Sequence, residues 1–185
     1  PRGCYLGSGG TGAIKLNTTG THNTAVGYAA LNANTTAANN TAVGYASLQA
    51  NTTGAQNTAS GQSSLVANTT GSHNVALGRF ALAANTTASN NVAVGESALT
   101  ANTTGADNTA LGYQAGYTAT TANGLTAIGY KAAYGTTGQG TVTAVGKEAV
   151  MTNTSGYYLV GVGTGAIKLN TTGTHNTAVG YAALN

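Results

Sequence analysis

The sequence predicts an all-β chain, a β-solenoid (parallel β-roll) of about ten 17-residue coils, and three observations carry that expectation. A glycine returns every 17 residues, at Gly10, Gly27, Gly44, Gly61, Gly78, Gly95, Gly112, Gly129, Gly146, Gly163 and Gly180. Small and β-branched residues precede it in nearly every copy, as in Asn-Thr-Ala-Val-Gly at 23–27 and again at 40–44. Composition is the third: 28 glycines against a single proline and a single phenylalanine, with 5% charged residues. A fixed period without insertions is the mark of stacked repeats, in which each unit buries its apolar side only against its neighbours. Helix is disfavoured because every copy places Gly, Asn and paired Thr inside any helical segment.

Each coil divides in order. In Asn23–Val26 the side chains alternate across a strand, so Thr24 and Val26 share one face and Asn23 and Ala25 the other. Gly27 then bends the chain, at a position calling for positive φ or a contact too close for a Cβ. A second short strand is expected through Ala29–Ala33, with Leu31 and Ala33 on one face. The Asn-Thr-Thr segments, often followed by Gly, make the second turn. One coil is therefore two short strands and two turns.

Stacking places like residues over like at about 4.8 Å, which makes ten coils a rod of roughly 50 Å. The first column is Asn23, Asn40, Asn57, Asn74, Asn91 and Asn108, resumed at Asn176, whose amides are expected to form a ladder. A Thr column runs through Thr18, Thr35, Thr52, Thr69, Thr86, Thr103, Thr120, Thr137, Thr154 and Thr171. Seventeen extended residues span at most about 58 Å, so one coil encloses a single layer of small side chains. Ala and Gly on one face and Val or Leu on the other ask for cover on both, which a symmetric oligomer, most simply a homotrimer, provides. A triangular helix of hexapeptides needs aliphatics every six residues, whereas the sixth residue after Val26 is Asn32.

Residues 1–185 read as one repeat array. Residues 10–32 are identical to 163–185, an offset of nine periods, and the array is expected to continue at both ends, covalently or by end-to-end stacking. The low charge and scarce proline argue against disorder. No run approaches 18 apolar residues, so no membrane insertion is expected in this segment. The net charge of +3 is scattered and makes no nucleic-acid footprint. Cys4 is alone and offers no disulfide framework.

Little in the sequence suggests reaction chemistry. The acids Glu96, Asp107 and Glu148 are dispersed, and surface positions are the expectation for them. His22, His73 and His175 share one repeat position but lie three coils or more apart, so a metal site would need copies from several chains, and exposed turn positions are expected instead. Gly-Ser-Gly-Gly-Thr-Gly at 7–12 lacks the lysine of a phosphate loop. No catalytic residue, metal ligand or cofactor is expected. Tyr28, Tyr45, Tyr113, Tyr130 and Tyr181 follow the glycine, and stacked aromatics can bind sugars, although Gln62, Arg79, Glu96 and Lys147 interrupt the column. Sequons at Asn17, Asn34, Asn39, Asn51, Asn68, Asn85, Asn102, Asn153 and Asn170 are candidate glycan acceptors in a secreted eukaryotic chain. Asn at a turn corner is the favoured reading.

The copies of Asn-Thr-Ala-Val-Gly-Tyr-Ala-Ala-Leu resemble the repeats in the heads of trimeric autotransporter adhesins. With Asn-Thr-Thr-Gly they resemble still more the arrays of phage tail-fibre-like proteins. The likeness covers nearly the whole chain, although adhesin-head periods are typically shorter than 17. It implies a homotrimeric, left-handed parallel β-roll outside the cell, on a virion or cell surface. Its work would be non-enzymatic: the shaft or attachment region of a fibre, with itself, as a homotrimer or end-to-end filament, and cell-surface glycans as partners. An ice-binding solenoid, suggested by the Thr column, is the alternative.

Overall fold

The computed structural model describes residues 6–137 and 140–184. Eleven short strands make one parallel sheet in simple sequence order. They are β1 (Leu6–Gly9), β2 (Asn23–Val26), β3 (Thr41–Val43), β4 (Thr58–Ser60), β5 (Val75–Leu77), β6 (Val92–Val94), β7 (Thr109–Leu111), β8 (Thr126–Ile128), β9 (Val142–Val145), β10 (Leu159–Val162) and β11 (Thr177–Val179). Thr24 pairs with Thr41, Ala25 with Ala42 and Val26 with Val43, and the same offset holds along the sheet. The chain is a β-solenoid, and its sheet runs along the stacking axis.

The strand faces are as the alternation requires. In β2, Asn23 and Ala25 point inward and Thr24 and Val26 outward. The inward Ala column, from Ala25 to Ala144, packs on Leu31, Leu48, Leu65, Leu82 and Leu99 in one continuous core. The glycine register meets both of its requirements. Gly27 has φ 130°, and a Cβ there would stand 2.4 Å from the carbonyl oxygen of Gly44 in the next coil.

Among the described residues the expected second strand of the coil is absent. Residues 29–33 form a turn in which Ala29 and Leu31 are left-handed, at φ 53° and 52°. The reason is burial. Ala30 and Leu31 both face the core in succession, as do Ser64 and Leu65, Ala81 and Leu82, and Ala98 and Leu99 in other coils, and an extended strand would send every second side chain outward. The bend does not cost the backbone its partners. Ala29 donates back to the Thr11 carbonyl at 3.0 Å and Leu31 forward to that of Ser47 at 2.9 Å. One coil is thus one strand and a series of tight turns.

From the seventh strand onward the core is filled differently. Gly116 and Ala133 replace the Leu of the turn column, while Leu125, Val142 and Leu159 replace the Asn of the strand column. The exchanges are coupled in space, since a Cβ on Gly116 would lie 2.9 Å from Leu99 Cδ2 and 3.1 Å from Leu125 Cδ2. Bulk lost on one wall is supplied from the other, which keeps the interior close-packed.

Candidate functional site

The expected Asn ladder is present. Asn40 is fully buried; its backbone N–H donates to Asn23 Oδ1 at 2.9 Å, and its Nδ2 donates to the Gly54 carbonyl at 3.0 Å. Asn57, Asn74, Asn91 and Asn108 each donate their backbone N–H to the preceding Asn in the same way. Leu125 ends the run, with its backbone N–H still on Asn108 Oδ1 at 2.8 Å. Asn176, just before β11, stands half-buried in the same column.

A second ladder occupies the sequon positions. Asn34 Nδ2 donates to Asn17 Oδ1 at 2.7 Å, Asn68 to Asn51 at 2.8 Å, and Asn85 to Asn68 at 2.8 Å. Each of these amides also donates to the carbonyl three residues on, as Asn68 does to Gly71 at 2.9 Å. Asn34, Asn51, Asn68, Asn85, Asn102 and Asn153 are fully buried, so the folded coils withhold these amides from a glycan. Asn17 and Asn170 are half-buried at the two ends of the stack, and both donate to a carbonyl in their own turn. The glycan-acceptor expectation is therefore corrected for the six buried positions, and the turn-corner reading holds. The signal was in the sequence: an Asn at constant period followed three residues later by Gly or Ala, which mark an enclosed corner.

The Thr column forms a third ladder. Thr18 Oγ1 donates to the Thr35 carbonyl at 2.8 Å, Thr52 to that of Thr69 at 3.0 Å, and Thr154 to that of Thr171 at 2.9 Å.

The chemistry-bearing side chains stay apart. His22, His73 and His175 sit at exposed left-handed corners with φ 56°, 60° and 58°. Glu96 pairs with Arg79 at 3.2 Å, Glu148 pairs with Lys168 at 3.1 Å, and Asp107 accepts from Asn90 at 3.1 Å. Among the described residues no group of three His, Cys, Asp or Glu could hold a metal ion. No helix there is long and apolar enough to cross a membrane. Cys4 lies outside the described residues, and Gly7–Gly12 spans part of β1 and the bend after it.

The tyrosines do stack, in pairs. Tyr28 and Tyr45 lie 5.2 Å apart and 12° from parallel, Tyr113 and Tyr130 5.5 Å apart at 14°. A further pair escaped the sequence reading: Tyr117 and Tyr134, in a neighbouring column, at 5.1 Å and 3°. Within each pair each ring covers one face of the other. Lys131 lies between the two pairs of the later coils, its Nζ 5.5 Å from the Tyr130 centroid and 5.2 Å from that of Tyr134. The adjacency of Lys131 and Tyr130 was visible in sequence, but its neighbours from other coils were not.

The outer face of the sheet is apolar. Val26, Val43, Leu77, Val160 and Val179 stand exposed along it, with Thr24, Thr58 and Thr177 beside them. No known family model matches the chain, and no curated protein or solved structure matches it.

Proposed function

We propose that this chain is a non-enzymatic structural fibre segment, the shaft or attachment region of a viral tail fibre or cell-surface adhesin, working outside the cell. The observation that carries the reading is the triple ladder. Two Asn columns and one Thr column tie successive coils together through side chains over much of the stack, in addition to the backbone bonds of the sheet. Such redundancy stiffens a rod and does nothing for turnover. The partner is the chain itself. The exposed aliphatics of the outer sheet face ask for cover, and three copies turning that face to a common axis supply it by a closed symmetry. Light scattering should give three times the mass of the chain, and electron microscopy a thin straight rod. A folded monomer at low concentration would overturn the trimer, and compact round particles would overturn the fibre.

The ice-binding alternative loses support where it began, because the hydroxyls of the Thr column are donated to carbonyls. The outward Thr rank of the strands is interrupted by Val75, Val92 and Val160. Ice shaping or thermal hysteresis at micromolar protein would restore it.

A further inference from the structure

We infer that the patch formed by Tyr113, Tyr117, Tyr130, Tyr134, Lys131 and Lys147 binds an acidic polysaccharide. The inference rests on the attachment reading above and names the chemistry of what is attached. Charge is the first argument. The chain has six basic residues against three acids. Arg79 and Lys168 are matched by Glu96 and Glu148, whereas neither Lys131 nor Lys147 has an ion pair among the described residues. Their ammoniums nevertheless converge on one ring: Lys131 Nζ lies 5.5 Å and Lys147 Nζ 5.8 Å from the Tyr130 centroid. Two like charges gathered at a single aromatic side chain favour an anion beside them.

The groups the patch presents narrow the class. Tyr113 lies over Tyr130, and Tyr117 over Tyr134. Tyr113 is 42% exposed and Tyr130 44%, and neither hydroxyl hydrogen-bonds another described residue. Stacking takes one face of each ring, and both ammoniums stand over the Tyr130 ring. The exposed phenolic O–H groups can donate, and with two ammoniums beside them they suit carboxylate or sulfate oxygens on a hydroxyl-rich chain. A neutral sugar would draw nothing from the two cations, and duplex nucleic acid draws on many more phosphate contacts than two lysines make. Tyr28 and Tyr45 stack in the same column with Ala29 and Ala46 where Lys131 would be, and form an internal control.

The test uses the full chain at about 0.15 M salt, where long-range attraction is screened. Polygalacturonate, heparin, neutral dextran and a short DNA duplex are titrated calorimetrically. Binding of polygalacturonate or heparin is expected, and the tighter of the two shows whether carboxylate or sulfate is preferred. Lys131→Ala with Lys147→Ala should weaken it about tenfold or more, as expected for two exposed ion pairs at the upper end of their range. Lys15→Ala and Tyr28→Ala should leave it unchanged. The assignment is overturned by binding neither acidic glycan, by equal affinity for dextran, by tighter binding of DNA, or by insensitivity to the lysine pair. Imaging the same preparation separates the two claims, because rods that bind no glycan would remove the patch and leave the fibre standing.

Discussion

The second Asn ladder has a gap, and filling it should stabilise the protein. Ala119 occupies the rung between Asn102 and Thr136, and it is fully buried. Asn102 Oδ1 and Thr136 Oγ1, on the coils either side, are the buried side-chain atoms left without a partner among the described residues. Ala119→Asn addresses both. By analogy with Asn34 and Asn85, which donate to Ala37 and Ala88 at 3.1 Å, the new Nδ2 would reach the Ala122 carbonyl and Asn102 Oδ1. The new Oδ1 would accept from Thr136 Oγ1. Those two precedents also show that this corner holds an Asn with Ala three residues later. Each recovered bond is worth about 0.5–1.5 kcal/mol net, so the pair should add roughly 1–3 kcal/mol. At about 2–4 °C per kcal/mol for a chain of this size, the melting temperature should rise by at least about 2 °C. Thermal melts by circular dichroism at one fixed protein concentration provide the assay, since association shifts the midpoint. Ala119→Leu, which adds similar bulk without an amide, should lower the midpoint through overpacking. If the Asn and Leu variants melt together at or below the parent, the unpartnered atoms carry no cost and the reasoning fails.

Three further outcomes follow from the packing. Gly95→Val should cost more than about 4 kcal/mol, because Gly95 has φ 128° and a Cβ there stands 2.5 Å from the Gly112 carbonyl oxygen. Thr100→Val should cost only about 1 kcal/mol, for the bond from Thr100 Oγ1 to the Phe80 carbonyl at 2.8 Å, and urea melts that rank the two equally would remove the glycine argument. Leu99→Ala should cost about 2–5 kcal/mol. Adding Gly116→Ala should recover part of it, since that Cβ would enter space vacated by Leu99 Cδ2, and a double-mutant cycle showing plain additivity would contradict the coupling. Asn68→Asp replaces donors to Asn51 Oδ1 and the Gly71 carbonyl by a buried carboxylate, at a cost of several kcal/mol near neutral pH. Burial raises the folded-state pKa of that carboxyl, so the folded form holds more protons and stability should increase as pH falls; a melting temperature independent of pH relative to the parent would refute it.

The period of 17, the inward Asn and Ala, the outward Thr and Val, and the glycine register were all legible in the sequence. They depend on two local rules, alternation along a strand and the freedom of glycine, and repetition copies a local rule into every coil. The Asn23 column was legible for the same reason, because equal spacing in a stack means contact. The Ala29–Ala33 segment was not. Nothing local in Ala-Ala-Leu distinguishes a strand from a chain of left-handed bends, and the choice falls to the core, which takes two successive side chains only if the backbone bends between them. The sequon asparagines likewise read as turn corners or as glycan sites until the stack closed over them. The exchange of Leu for Gly116 against Asn for Leu125, and the meeting of Lys131 and Lys147 at Tyr130, join residues on different walls or coils. Sequence determined what each column contains; only the tertiary structure decided which columns share a volume, because that depends on how sharply each turn bends and not on the order of residues along it.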